Sequence, residues 1–495
     1  MTLRPLSLGF LASCLIASAS AWAAPGDVFY VSAANDTGNE DGLSWDTAFT
    51  RIEQGIERAR ASFGGEVWVA RGFYGGPRPA NGSLQLRSGV DVYGGFAGTE
   101  TTRTRRNPAS NPTIIDGSAA ADGNSAPAVV IGANDTVLDG FTIQGGRGSA
   151  GAGMLNVGTS PVVRNCIFRD NRATQFGGAV LNLEGSRAEF ANCVFRENKA
   201  TASGGAVANT ESPAIFRNCL FVSNRADVAG GALFNTPGSD ILVNASRFEA
   251  NTSGAGGGAI FNEGASPYIE NSIFIANRAT GFGGAVFNNQ AADVAVPSDT
   301  LMVNCVLARN VSEQGGGAFA TLLSSLTLIN STIVGNTAPE NLGGAFFNNA
   351  ANLEVLNAII WYNSPEWIVN TAASFTQIRW SNVGGGDPGP NNIAIEPRFV
   401  DRAADDYRLL PDSPSIDTGT PNGAPEKDLS GTSRPQLDGV DQGAYESRVK
   451  LPAEAMDCHG RGGESPRAAM PDPATWLLLA TLVLARFRRQ RPISA

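Results

Sequence analysis

Asp170 and Glu197 stand 27 residues apart, each preceded by an arginine (Arg169, Arg196) and followed two residues on by a cation (Arg172, Lys199). If the chain coils with that period, the two carboxylates stack on adjacent turns at about the 4.8 Å spacing of neighbouring strands. Retaining glycoside hydrolysis places its acid and its nucleophile about 5–5.5 Å apart. The pair can therefore be read as catalytic, with Arg169 and Arg196 stacked beside it and the neighbouring cations able to neutralise the two acids. Arg225 and Arg278 share the register of Arg172 and Lys199. The same residues can equally be a solvated charged face, whose exposed pairs each contribute little. The sequence leaves both readings open.

Other chemistry is narrower. The single histidine, His459, lies in a tail, which excludes Ser-His-Asp and Cys-His centres and His-rich zinc sites. Trp361, Tyr362, Trp367 and Trp380 gather near one another in sequence. Exposed, they would stack on sugar rings; buried, they would pack a core. Asp36, Asn39, Glu40 and Asp41 offer oxygen ligands that a calcium ion accepts, or form a polar loop. Asp428, Asp438 and Asp441 pose the same alternative. No cofactor other than calcium is expected. The net charge is −10, and lysine occurs only at Lys199, Lys427 and Lys450, so no nucleic-acid partner is expected.

These residues must be positioned by a repeat. Asn165, Asn192, Asn218, Ala245, Asn271, Asn304, Asn330 and Asn357 set a register with spacings of 27, 26, 27, 26, 33, 26 and 27. The next residue is often cysteine (Cys166, Cys193, Cys219, Cys305). Three residues on sits a large apolar side chain, as in Phe168, Phe195 and Phe221. Six residues on sits another Asn, as in Asn171, Asn198 and Asn224. Gly-Gly-Ala follows in most copies, and a third Asn, such as Asn182 or Asn209, usually closes the unit. About 26 residues make one coil of three short strands and three turns, which cannot bury its own face and must stack. The expected fold is therefore all-β, a single-stranded right-handed parallel β-helix with Phe and Cys inside and Asn ladders along the turns. The cysteines read as a buried thiol ladder rather than as metal ligands. The 33-residue interval implies a projecting loop within residues 289–300.

The Phe-x-x-Asn and Gly-Gly-Ala units resemble the repeats of polymorphic outer-membrane proteins, which implies a β-helical adhesin over roughly residues 150–350. Those proteins end in a membrane barrel, for which too few residues follow Lys450. Residues 24–75, including a helix within Ala48–Ala61, resemble the N-terminal cap of secreted, pectate-lyase-like β-helices. Ser413–Glu446, with Asp417, Asp428, Arg434, Asp441 and Gly443, resembles the choice-of-anchor Q region. The Asp-triplet, Gly-His-Gly and Arg-Ile-Lys segments of polygalacturonase-like hydrolases are absent.

The ends read as addresses. Residues 1–23 have the charged start, apolar run and small-x-small site of a signal peptide. Pro471-Asp472-Pro473, Trp476 and the basic Arg486, Arg488 and Arg489 resemble a PEP-CTERM sorting signal, with Asp472 where that family has Glu. The resemblance implies an exosortase-type partner and a membrane segment over 470–495, preceded by a spacer at 451–469. The solenoid is expected over 76–410, most regular over 150–365, with a C-terminal cap at 411–450. The function expected is that of an exported Gram-negative surface protein that binds an extracellular polysaccharide or a neighbouring cell surface. A polysaccharide lyase or hydrolase and a passive spacer are the alternatives.

Overall fold

The computed structural model describes residues 26–451 apart from Asp122, Ala292 and Val294. The expected signal peptide, the expected spacer beyond Leu451 and the expected sorting signal with Pro471, Asp472, Pro473, Trp476, Arg486, Arg488 and Arg489 lie outside the described residues.

Strand residues alternate between inside and outside, as period-two patterning demands. In Ile167–Arg169 and Val194–Arg196 the central Phe is buried and its neighbours are half-buried. Each coil pairs in parallel with the next, so Phe168 opposes Phe195, and Phe195 opposes Phe221. The result is a right-handed parallel β-helix, as the repeat predicts.

The coil differs from expectation in one respect. It carries four strand segments, which assemble into sheets of thirteen, twelve, eleven and seven strands. The cause is a pair of left-handed residues in each coil. Asn165, Asn192 and Asn218 have φ of 50°, 54° and 51°, and Asp170, Glu197 and Ser223, five residues on, have φ of 54°, 56° and 55°. Each bends the chain, so one expected strand becomes parts of three sheets. Asn tolerates this conformation better than most residues, which accounts for its recurrence at the first bend. The second bend accepts Asp, Glu, Ser, Ala and Arg, and so leaves no sequence signature.

The lumen is filled by stacked rings. Phe168, Phe195, Phe221, Phe248 and Phe274 lie 4.6–5.0 Å apart with planes within 7° of parallel. Cys166, Cys193, Cys219 and Cys305 are buried free thiols. Burial pushes the Cys166 thiol up to about 12.

Two buried amide ladders run beside the rings. Asn171, Asn198, Asn224, Asn251, Asn277, Asn310 and Asn336 each donate to the Oδ1 of the next through both backbone and side chain. The closing Asn of the repeat was expected in a turn. Instead Asn182, Asn209, Asn235 and Asn262 lie on strands of the eleven-stranded sheet and point inward, linked at 2.7–2.8 Å. The Gly-Gly pair has two distinct causes. Gly204 has φ of 71°, whereas a Cβ on Gly205 would meet the Gly231 carbonyl of the next coil at 2.1 Å.

The cap helix, Ile52–Ala61, buries Ile52, Gly55, Ile56 and Ala59, the face its spacing predicts. The last solenoid strand is Asn382–Val383, earlier than the expected limit of 410. After an antiparallel pair, Phe399–Asp401 with Asp406–Leu409, the chain turns back along the outside of the solenoid. Ser415 meets Asn382, Thr420 meets Asn357, Asp441 meets Asn330, and Lys427 and Arg434 meet Asn304. The region expected as a C-terminal cap is thus a lateral strap, held by Asn304, Asn330 and Asn357 of the first bend and by Asn382 of the last strand. Among the described residues, no helix is long and apolar enough to cross a membrane.

Candidate functional site

The seven-stranded sheet is built from two-residue strands whose first residue is outward and whose second is buried or half-buried, as in Arg172-Ala173. Parallel pairing aligns the outward positions. Arg147, Arg172, Lys199, Arg225, Thr252 and Arg278 therefore follow one another on successive coils. The expected stacking of Arg172 with Lys199 and Arg225 is present; Thr252 separates Arg278 from them. Arg147 was not anticipated. It precedes the first copy of the full repeat, and its only signal was its distance of 25 residues from Arg172.

Arg169 and Arg196 form a parallel row on the adjoining twelve-stranded sheet, paired in register. Between the two rows, Asp170 and Glu197 occupy the second bend and are exposed. The arrangement is tied together locally. Arg147 donates to the Asp170 carbonyl at 2.6 Å, and Arg169 donates to Gln144 at 2.7 Å. Asp227 takes both Lys199 and Arg225 at 2.9 Å. Those two bonds hold the Asp227 carboxyl below its usual range, against the upward push of partial burial. Arg172 has no ion pair among the described residues. Burial and the nearby Arg172 together lower the proton affinity of Arg147, partly offset by Asp170 and Asp116. The Nε of Arg196 is buried and without a hydrogen-bond partner.

The aromatic candidates do not form one patch. Trp361 and Tyr362 meet edge-on at 5.6 Å, and Trp361 donates to Asn382. Trp367 packs against the core ring of Phe346 at 6.4 Å. Trp380 occupies a left-handed bend, φ 52°, at the first-bend register. Tyr362 alone lines a cleft of about 330 Å³, with Glu396, Arg398, Phe399, Arg402, Leu410 and Asp412. The groups there satisfy one another. Tyr362 donates to Glu396, Arg402 lies 3.7 Å over the Tyr362 ring, and Arg398 pairs with Asp412. Partial burial and the Glu396 bond push the Tyr362 hydroxyl up to about 12.

The N-terminal acids are engaged in local hydrogen bonds. Glu40 accepts from Thr50 and Gln54 beside the cap helix, and Asp41 accepts from the Leu43 backbone. Asp36 is exposed. Among the described residues no group of three or more His, Cys, Asp or Glu side chains is placed to hold a metal ion. Asp428 and Asp441 lie buried in the strap. Asp428 accepts from the backbone of Ser430, Thr432 and Glu446, while Asp441 accepts from Asp417 and Ser447.

The family described as a right-handed beta helix region matches residues 81–221 and 178–379. No curated protein matches the chain. Solved structures that resemble it include a rhamnogalacturonan lyase, at 13% identity over 76% of this chain and 91% of that one, with a TM-score of 0.40. The tailspike protein of E. coli bacteriophage HK620 in complex with pentasaccharide matches at 15% identity over 72% and 67%, with a TM-score of 0.35. The catalytic unit of a GH87 alpha-1,3-glucanase from Streptomyces thermodiastaticus strain HF3-3 matches at 13% over 73% and 69%, with a TM-score of 0.36.

Proposed function

The chain belongs to the right-handed β-helix family, and on that scaffold we propose an exported protein, displayed at the surface of a Gram-negative cell, that binds extracellular glycan without cleaving it. One observation carries this reading. The outward Arg147, Arg172, Lys199 and Arg225 are delivered as a straight row along the solenoid, one per coil, away from the Tyr362 cleft that they do not line. A row suits a long repetitive ligand, whereas catalysis needs an enclosed constellation in which charges are desolvated and acid–base groups are tuned. Asp170 and Glu197, the best paired carboxylates in the sequence, stand exposed on successive bends. Export and display rest on the signal-like residues 1–23 and the sorting-like residues 470–495, with processing by an exosortase-type partner and a membrane-associated C-terminal segment.

The test is a panel of acidic and neutral polysaccharides incubated with the mature protein, read for both retention and product. Retention without shortened chains or unsaturated ends is the expected result. Product formation that disappears in Asp170→Asn/Glu197→Gln would establish the hydrolase or lyase alternative instead. No retention on any glycan would leave a passive spacer.

A further inference from the structure

Building on the glycan-binding reading, we infer that the ligand is an acidic polysaccharide lying lengthwise along the seven-stranded sheet, its carboxylates or sulfates met by Arg147, Arg172, Lys199 and Arg225. The register supplies the first argument. These four side chains occupy the same outward position on four consecutive coils, so the protein offers one cation about every 4.8 Å. Arg169 and Arg196 widen the row by one column on the adjoining sheet. Like charges stacked this closely repel each other, and burial together with the neighbouring Arg172 already lowers the proton affinity of Arg147. A bound polyanion relieves that repulsion.

The charge count is the second argument. Six cations here face Asp116, Asp170, Glu197 and Asp227, a local excess of two positive charges in a chain whose net charge is −10. Arg172 stands exposed and without an ion pair among the described residues. Arginine forks match carboxylate and sulfate groups and gain from partial desolvation.

The third argument is the boundary of the face. On the twelve-stranded sheet, the outward Ile275, Val306, Ala308 and Val334 of later coils are covered by Tyr407 and Ala444 of the C-terminal segment. Arg278, farther along, is cut off from the row by the uncharged Thr252. The uncovered cationic stretch is confined to the coils from Arg147 to Arg225.

The dimensions favour a polysaccharide over a nucleic acid. Duplex DNA carries one negative charge per about 1.7 Å, far denser than one cation per coil. Its width would also set its phosphates against a net-acidic protein. A single glycan chain with at most one charge per sugar meets neither problem.

The experiment measures binding of the mature protein to an acidic polysaccharide, a neutral polysaccharide of similar length and duplex DNA, each at low and high salt. Variants are Arg172→Ser/Lys199→Ser and, as a control on the loop between the eleven- and thirteen-stranded sheets, Arg187→Ser. The expected result is salt-sensitive binding to the acidic chain alone, weakened about tenfold or more by the double substitution and unchanged by the control. A melting temperature for each variant separates lost binding from lost folding. Retention of neutral glycan, indifferent to salt and to the double substitution, would overturn this inference while sparing the glycan-binding reading. Retention of DNA alone, or of nothing, would overturn both.

Discussion

Asn224→Ala is the substitution whose cost can be worked most fully from the structure. Asn224 Oδ1 accepts from the backbone N–H of Asn198 at 3.1 Å and from its side chain at 3.0 Å. Its own Nδ2 donates to the Phe195 carbonyl at 2.8 Å and to Asn251 Oδ1 at 3.0 Å. Alanine leaves the Asn198 backbone N–H without that partner and removes one of the two bonds of the Asn198 amide, whose other bond, to the Phe168 carbonyl, remains. The Phe195 carbonyl loses one donor but stays in the strand ladder. Asn251 keeps the backbone donor of residue 224. A buried polar group left unsatisfied costs about 1–3 kcal/mol, so one orphaned donor together with two groups that each lose one bond costs about 2–4 kcal/mol. That is a large share of a total stability of about 5–15 kcal/mol. The comparison is Asn218→Ala on the same coil. Asn218 is exposed, holds φ of 51°, and contributes one ladder bond to Asn192. Ala245 already fills the equivalent position one coil on at φ 50°, so that change should cost only about 1 kcal/mol. Denaturant unfolding followed by circular dichroism reads both, and hydrogen exchange should localise the first loss to the coils between Asn198 and Asn251. Equal destabilisation by the two variants would refute the assignment of the buried ladder as the stabilising one.

Further outcomes follow from other positions. Phe221→Ala, in the middle of the ring stack, should cost about 3–5 kcal/mol by chemical denaturation. Gly205→Ala places a Cβ 2.1 Å from the Gly231 carbonyl and should abolish soluble folding, whereas Gly185→Ala, with nothing within 4 Å and φ of 77°, should lower stability by only about 1 kcal/mol. Burial, with Glu446 close by, lifts the Asp441 carboxyl to about 7 from an ordinary 3.8. Because its folded affinity for a proton exceeds the unfolded one, its stabilisation is fully present below about pH 4 and is lost as pH rises through 7. Proteolytic clipping within residues 413–447 should therefore increase from pH 6 to pH 8.5, and Asp441→Asn should flatten that dependence. The buried thiols should resist alkylation at pH 8 in the native protein and react fully once it is unfolded.

Much of the fold was legible because stacking repeats its demands every coil. Inward Phe, buried Asn and paired Gly each answer a constraint that recurs at 26 or 27 residues, so periodicity exposes them. The second bend was not legible, since a left-handed residue on an exposed turn is met by Asp170, Ser223 and Ala250 alike. The inward direction of Asn182 depends on a four-sided coil and followed from that omission. The strap was hidden for another reason. Its bonds to Asn304 and Asn330 span more than 100 residues and have no local pattern. At the candidate site the registers of Arg172, Lys199 and Arg225 were visible. Arg147 was missed, because its coil has the pairing but not the motif. Tyr362 was noticed as an aromatic among tryptophans, yet its cleft is completed by Glu396 to Asp412, outside the repeats.

A row of outward cations holding an extended anionic glycan would be visible directly. The most direct measurement is a structure of the mature protein with an acidic oligosaccharide several sugars long. The expected result is an intact chain parallel to the solenoid axis, with anionic groups against Arg147, Arg172, Lys199 and Arg225. An oligosaccharide seated in the Tyr362 cleft, or cleaved beside Asp170 and Glu197, would contradict it.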